Sequence, residues 1–156
     1  MIDFRSEQAY YGNVGNVFER RLNMKRKALA VITSLIVAVG TIMIVEMINS
    51  TILPIEGSVM ARNPDTVREA MTSRPDLGFI VVVIGYVLAA FGAGFIVTKM
   101  SRREGGSLHL AILCGVILTA LGIANIVLFP GHPMWFIALM LISFIPSAAV
   151  GYRFAR

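Results

Sequence analysis

The sequence predicts an all-α integral membrane protein: a four-transmembrane-helix bundle with both termini cytoplasmic. Three observations carry that reading. The chain of 156 residues is 56% hydrophobic and only 15% charged, where soluble domains carry about 25% charged residues. Four apolar runs are each long enough to cross a hydrocarbon core of ~30 Å, which takes about 20 helical residues. Eleven of the fourteen Lys and Arg residues fall on one side of those runs, and basic residues accumulate on the cytoplasmic side. This asymmetry accounts for the net charge of +5 without a nucleic-acid partner.

Residues 1–27 form a polar, basic leader with a tandem GNVGNV and the cluster Lys25, Arg26, Lys27. The sequence leaves the order of its first part open. The first span covers about 28–53. It is too long for the hydrophobic region of a cleaved signal, and INSTILPIEG offers no A-x-A site. It therefore reads as a retained helix. The outer loop, 54–77, holds Glu56, Asp65, Glu69 and Asp76 beside Arg62, Arg68 and Arg74. Within it RNPDTVREAM predicts a short helix. Asn63 suits the N-cap, Pro64 the first helical position and Asp65 the positive end of the dipole. Val67, Ala70 and Met71 share one face.

The second, third and fourth spans cover about 79–98, 108–129 and 134–152, and none has an Asp, Glu, Lys or Arg in its interior. Lipid offers no partners to backbone groups, so runs this continuous favour helices over barrel strands. REGGS (103–107) reads as a turn. PGHP (130–133) is a tight turn, so the last two spans are antiparallel neighbours.

Lipid also removes the hydrophobic drive between helices, so close backbone approach governs packing. Small residues recur at helical spacing: Gly85-x-x-x-Ala89, Ala90-x-x-x-Gly94, Ala111-x-x-x-Gly115 and Ser143-x-x-x-Ser147-x-x-x-Gly151. They suit packing within the bundle, or a sharper alternative, an interface with another subunit or copy. Pro146 should kink the fourth helix and free the Ile142 carbonyl, which Ser143 could help satisfy. Trp135 sits where an outer aromatic belt belongs and Tyr152 where an inner one does.

IVEMINSTILP (44–54) places a carboxylate, Glu46, in the first span. It lies ~27 Å along the helix from Ala28 at 1.5 Å per residue, near the outer edge of the core. Asn49 and Ser50 follow on its face. Asn125 lies at comparable depth in the third span, and His132 in the outer turn. Glu46, Asn49, Asn125 and His132 are thus expected at one level, as a structural polar clasp or as a proton or ligand site. A His132 paired with Glu46 would be pushed toward its charged form. The lone Cys114 makes neither an internal disulfide nor a cysteine metal site. No phosphate loop, nucleophile elbow, HExxH or CxxC appears. No metal, cofactor or catalytic activity is expected.

The helix ending in Glu46 and Pro54, the loop NPDTVREAM, the pair AN (124–125), HPMWF (132–136) and the closing GYRFAR resemble a widespread group of small bacterial four-helix membrane proteins. The resemblance covers about residues 24–156. It implies this topology and the inner (cytoplasmic) membrane, singles out Glu46, Asn125, His132, Pro133 and Trp135, and implies no activity. The small multidrug resistance family also has four helices and a glutamate in the first. There the glutamate lies deeper, the charge bias is weak and the first loop is shorter. The leading expectation is an accessory or structural subunit that packs with a larger membrane complex or with itself, its basic rim on anionic lipid headgroups. The alternative is a small proton-linked transporter or ligand carrier centred on Glu46.

Overall fold

The computed structural model describes residues 4–53, 63–102 and 108–156, with side chains from Arg21 onward. Its elements are α1 (Phe4–Ile52), α2 (Pro64–Thr72), α3 (Asp76–Ser101), α4 (Leu108–Leu128) and α5 (Met134–Ala155). The described residues hold no strand. Four helices, α1 from Arg21 together with α3, α4 and α5, are long and apolar enough to cross a membrane. The architecture is a four-helix membrane bundle with α2 laid at one end. The REGGS turn (103–107) and residues 54–62 of the outer loop fall outside the described residues.

The helices outrun the apolar runs that predict them. α1 begins at Phe4, not near residue 28. The leader contains no proline, and each glycine in a helix costs only about 1 kcal/mol relative to alanine, so a helix already nucleated in the apolar run can propagate through it. Its 49 residues span ~70 Å, over twice the ~30 Å core. α3 takes in Asp76 and Lys99, and α5 takes in Arg153. Apolar runs mark where lipid lies, while a helix continues into the polar interface.

α3 is the hub. It packs on α1 along one flank and on α5 along another, α4 leans on α5 and α3, and α1 meets α4 only sparingly. Glycine makes the α3–α5 contact possible. A Cβ on Gly94 would overlap the Ala148 carbonyl, and one on Gly151 would overlap the Phe91 carbonyl. Gly115 sets α4 against α5, where an added Cβ would come 2.9 Å from the Ile145 Cα. Gly85 sits under the Val45 side chain of α1, and Ala89 is buried. These small residues are therefore consumed inside the bundle, which favours the simpler of the two readings of their spacing.

An aromatic column fills the centre. Phe79, Phe136, Tyr86 and Phe144 follow one another with ring centroids 5.1, 6.1 and 5.3 Å apart. Tyr152 packs against this core as a partly buried residue. The Cys114 thiol is buried 3.3 Å from the Ser34 hydroxyl, tying α4 to α1. α5 runs through Pro146 as a single helix. Ser143 and Ser147 are half-buried. The Ser143 hydroxyl donates to the Met140 carbonyl at 3.0 Å, not to that of Ile142. A serine bonds back along its own turn, and Met140 lies three residues behind it.

Replacing Gly94 by Val should disrupt the α3–α5 contact and lower the melting temperature in detergent sharply. Replacing Gly92, whose added Cβ meets nothing within 4 Å, by Ala should leave it unchanged or raise it, by up to about 1 kcal/mol of helix propensity. Equal effects at the two positions would contradict this account of the packing.

Candidate functional site at the α2 end of the bundle

The site is assembled by α2 and the turn that follows it. The Asn63 side chain accepts the Asp65 N–H at 3.0 Å, as the sequence predicts for an N-cap. Val67, Ala70 and Met71 turn inward and are buried, which seats α2 on the bundle. Gly131, in the α4–α5 turn, comes so close beneath α2 that an added Cβ would lie 2.9 Å from the Arg68 carbonyl. Its φ of +109° is open to glycine and strained for other residues.

Docking α2 in this way delivers Arg74 to the side of the turn that meets α1 and α3. Its side chain is only 3% exposed. It lies across the first turn of α3, over Gly78, where an added Cβ would meet its Nε at 2.9 Å. The guanidinium sits 5.3 Å from the Phe79 ring centroid, within range of a cation–π contact. Its Nη2 donates to Glu46 Oε2 at 3.1 Å. The lone carboxylate of the first span thus has an arginine partner from outside the spans. One turn along α1, Asn49 is buried and donates its Nδ2 to the Gly78 carbonyl at 3.0 Å. Glu46 and Asn49 together fasten α1 to the start of α3. Three buried side-chain polar atoms at this end, Arg74 Nε, Asn49 Oδ1 and His132 Nδ1, have no hydrogen-bond partner among the described residues.

The four residues expected at one level divide between three settings. Glu46 and Asn49 grip the Arg74–Gly78 segment. Glu46 and Asn125 line a cleft of about 340 Å³ between α1 and α4. Val39, Ile42 and Met43 form one wall, Leu118 and Leu121 the other, and Tyr86 and Phe144 the floor. His132 lines a separate hollow of about 380 Å³ with Arg68, Arg74 and Asp76. Its ring stacks on Phe136 at 5.1 Å and 15° and meets Phe79 edge-on at 5.9 Å. It is Arg74, not His132, that hydrogen-bonds Glu46. Trp135 is 36% exposed and stands edge-on to both Phe79 and Phe136.

His132 does not pair with Glu46, so the condition for its charging is not met, and its surroundings act the other way. Burial lowers its pKa from the ordinary 6.5, against the pull of the Phe129 backbone; nearby Arg74 adds to the lowering, and Glu46 opposes it. The neutral imidazole is the form this aromatic setting favours.

Arg74 is the residue that sequence reasoning missed, because it counted only as a loop charge. A usable signal was present: SRPDLG places a glycine four residues after the arginine, on the same face of the helix start. Among the described residues no group of three His, Cys, Asp or Glu could hold a metal ion. No family model, curated protein or solved structure matches the chain, so its function is argued from its own residues.

Two outcomes follow. Glu46→Gln leaves the buried Arg74 charge uncompensated and should cost about 3 kcal/mol, the low end for a broken buried pair, since Glu46 itself is 38% exposed. The double variant Glu46→Leu/Arg74→Met should cost less than that single one; a thermal-unfolding double-mutant cycle checks the coupling. For His132, the lowered folded pKa means that its contribution is complete above 6.5 and is lost as pH falls below that value. The melting temperature of wild type should therefore drop more than that of His132→Gln on acidification through this window.

Proposed function

We propose that this chain is a non-enzymatic accessory or structural subunit of the bacterial cytoplasmic membrane, with both termini inside and α2 on the outer face. The supporting orientation argument is the basic bias of the leader, the α3–α4 connection and the C-terminus. One observation carries the functional reading: Glu46 is held at 3.1 Å by an arginine that is itself almost fully enclosed. A carboxylate used this way pins the outer segment to α1 and is a poor proton carrier, because protonating it would strand the Arg74 charge. The uncovered flank of α1, with Ile36, Ile44 and Met47 exposed, suits packing against a larger membrane protein.

The cleft between α1 and α4 favours a second reading, a small carrier that binds its cargo beside Glu46 and Asn125. The two differ in a single preparation. Gentle extraction of the full chain followed by native mass spectrometry should yield a stoichiometric larger partner. Recovery of the chain alone or with copies of itself would overturn the subunit reading. Uptake that depends on pH and is abolished by Glu46→Gln, in a variant that remains folded, would establish the carrier in its place.

A further inference from the structure

The α1–α4 cleft has an internal polarity. Its α1 wall runs from Val39 through Met43 to Glu46, and its α4 wall from Leu118 through Leu121 to Asn125. Each wall spans eight residues, or ~10 Å of helix rise, and on each the residues that line the cleft are apolar until the last. α1 and α4 both run toward the α2 end, so the two polar residues stand together at that end. The lips are exposed: Met43 is 67% and Leu121 50% accessible. The cleft therefore opens sideways between two membrane-crossing helices, onto hydrocarbon.

The apolar stretch of its walls offers water none of the two to four polar partners it needs, and such a stretch takes up apolar molecules. The molecule that reaches a lateral opening between membrane helices is lipid. A lipid in the leaflet on the α2 side carries its polar part toward that end and its chain toward the midplane, matching the order of the cleft. The polar end also has a preference. The Glu46 carboxylate only accepts hydrogen bonds, and Asn125 both accepts and donates. Arg74 takes Glu46 Oε2, yet 38% of the Glu46 side chain remains accessible. A lipid that brings N–H or O–H donors fits this end better than one that brings none.

We infer that the α1–α4 cleft is a lipid-binding site that takes one acyl chain of a phospholipid from the leaflet on the α2 side and receives hydrogen-bond donors from its polar end at Glu46 and Asn125. The site does not depend on any protein partner, so it stands or falls separately from the subunit reading.

The test uses the full chain in phosphatidylethanolamine–phosphatidylglycerol nanodiscs. Trace phosphatidylethanolamine or phosphatidylcholine carries a diazirine in its acyl chain, and labelled peptides are located by mass spectrometry. Labelling by the ethanolamine lipid should concentrate on 39–46 and 118–125. Val39→Phe or Leu121→Trp, at the lips of the cleft, should each reduce it about tenfold, the loss a displaced ligand shows for 1.4 kcal/mol. Ile44→Phe, outside the cleft on α1, should not. Asn125→Leu should reduce labelling by the ethanolamine lipid toward that of the choline lipid. Even labelling of all lipid-facing residues, or labelling unchanged in both filled variants, overturns the site. Equal labelling by the two lipids overturns the donor preference at its polar end. Melting temperatures of the variants identify any that fail to fold, and the lip position that remains folded decides.

Discussion

The approach of α3 and α5 through Gly94 and Gly151 is the contact on which the other helices depend. Hydrocarbon outside the bundle is as apolar as leucine, so nothing squeezes these helices together. They adhere because their backbones come close enough for many small dispersion contacts to add up. At both glycines the facing group is a main-chain carbonyl, which cannot rotate away as a side chain would. That pair fixes the α3–α5 register, and the register sets the aromatic column from Phe79 to Phe144. α4 is then placed by Gly115 against α5, and α1 by Gly85 against α3.

α1 is the helix left least supported. It has α3 on one flank and a long uncovered surface on the other. Its attachments are correspondingly specific: Ser34 beside Cys114 toward one end, and Glu46 with Asn49 toward the other. The second attachment acts through the loop. Arg74 reaches Glu46 only because α2 is docked through Val67, Ala70 and Met71 and because Gly78 leaves room for the arginine stem. A surface ion pair contributes little, but a pair with one partner enclosed among Phe79 and Gly78 is costly to break from one side. Its effect is therefore conformational: it ties the α2 segment, α1 and α3 into one unit.

Much of this was legible in the chain. Continuous apolar runs gave the four helices, because lipid permits little else, and the Asn63-Pro64-Asp65 triplet gave the start of α2, because capping is local chemistry. The ends of α1, α3 and α5 were not legible, since hydropathy reports the membrane and not the helix. Glu46 and Asn125 line one cleft, and depth is the signal that relates them: parallel helices bring residues at similar distances from the starts of their apolar runs to similar levels. Depth does not give azimuth, which is why His132 lines a different hollow and is not the partner of Glu46. Arg74 was missed for a related reason. A long side chain in a loop can reach five or six ångströms in any direction, and only the packed turn decides which.

The clasp and the cleft are two consequences of the same geometry. α1 touches α4 at Ser34 and Cys114, where both residues are small, and is drawn toward α3 at Glu46 and Asn49. Between those points its Val39–Met43 stretch faces Leu118 and Leu121 across a gap, and Gly122 adds no side chain to close it. A bulky residue on α4 there would fill the gap, but Gly122 already lies against Met140 and Phe144 of α5, so the space it leaves cannot be taken without disturbing the α4–α5 contact. The opening beside Glu46 thus follows from holding α1 by its two ends. The carboxylate that holds the upper end is also the one that gives the opening its polar limit.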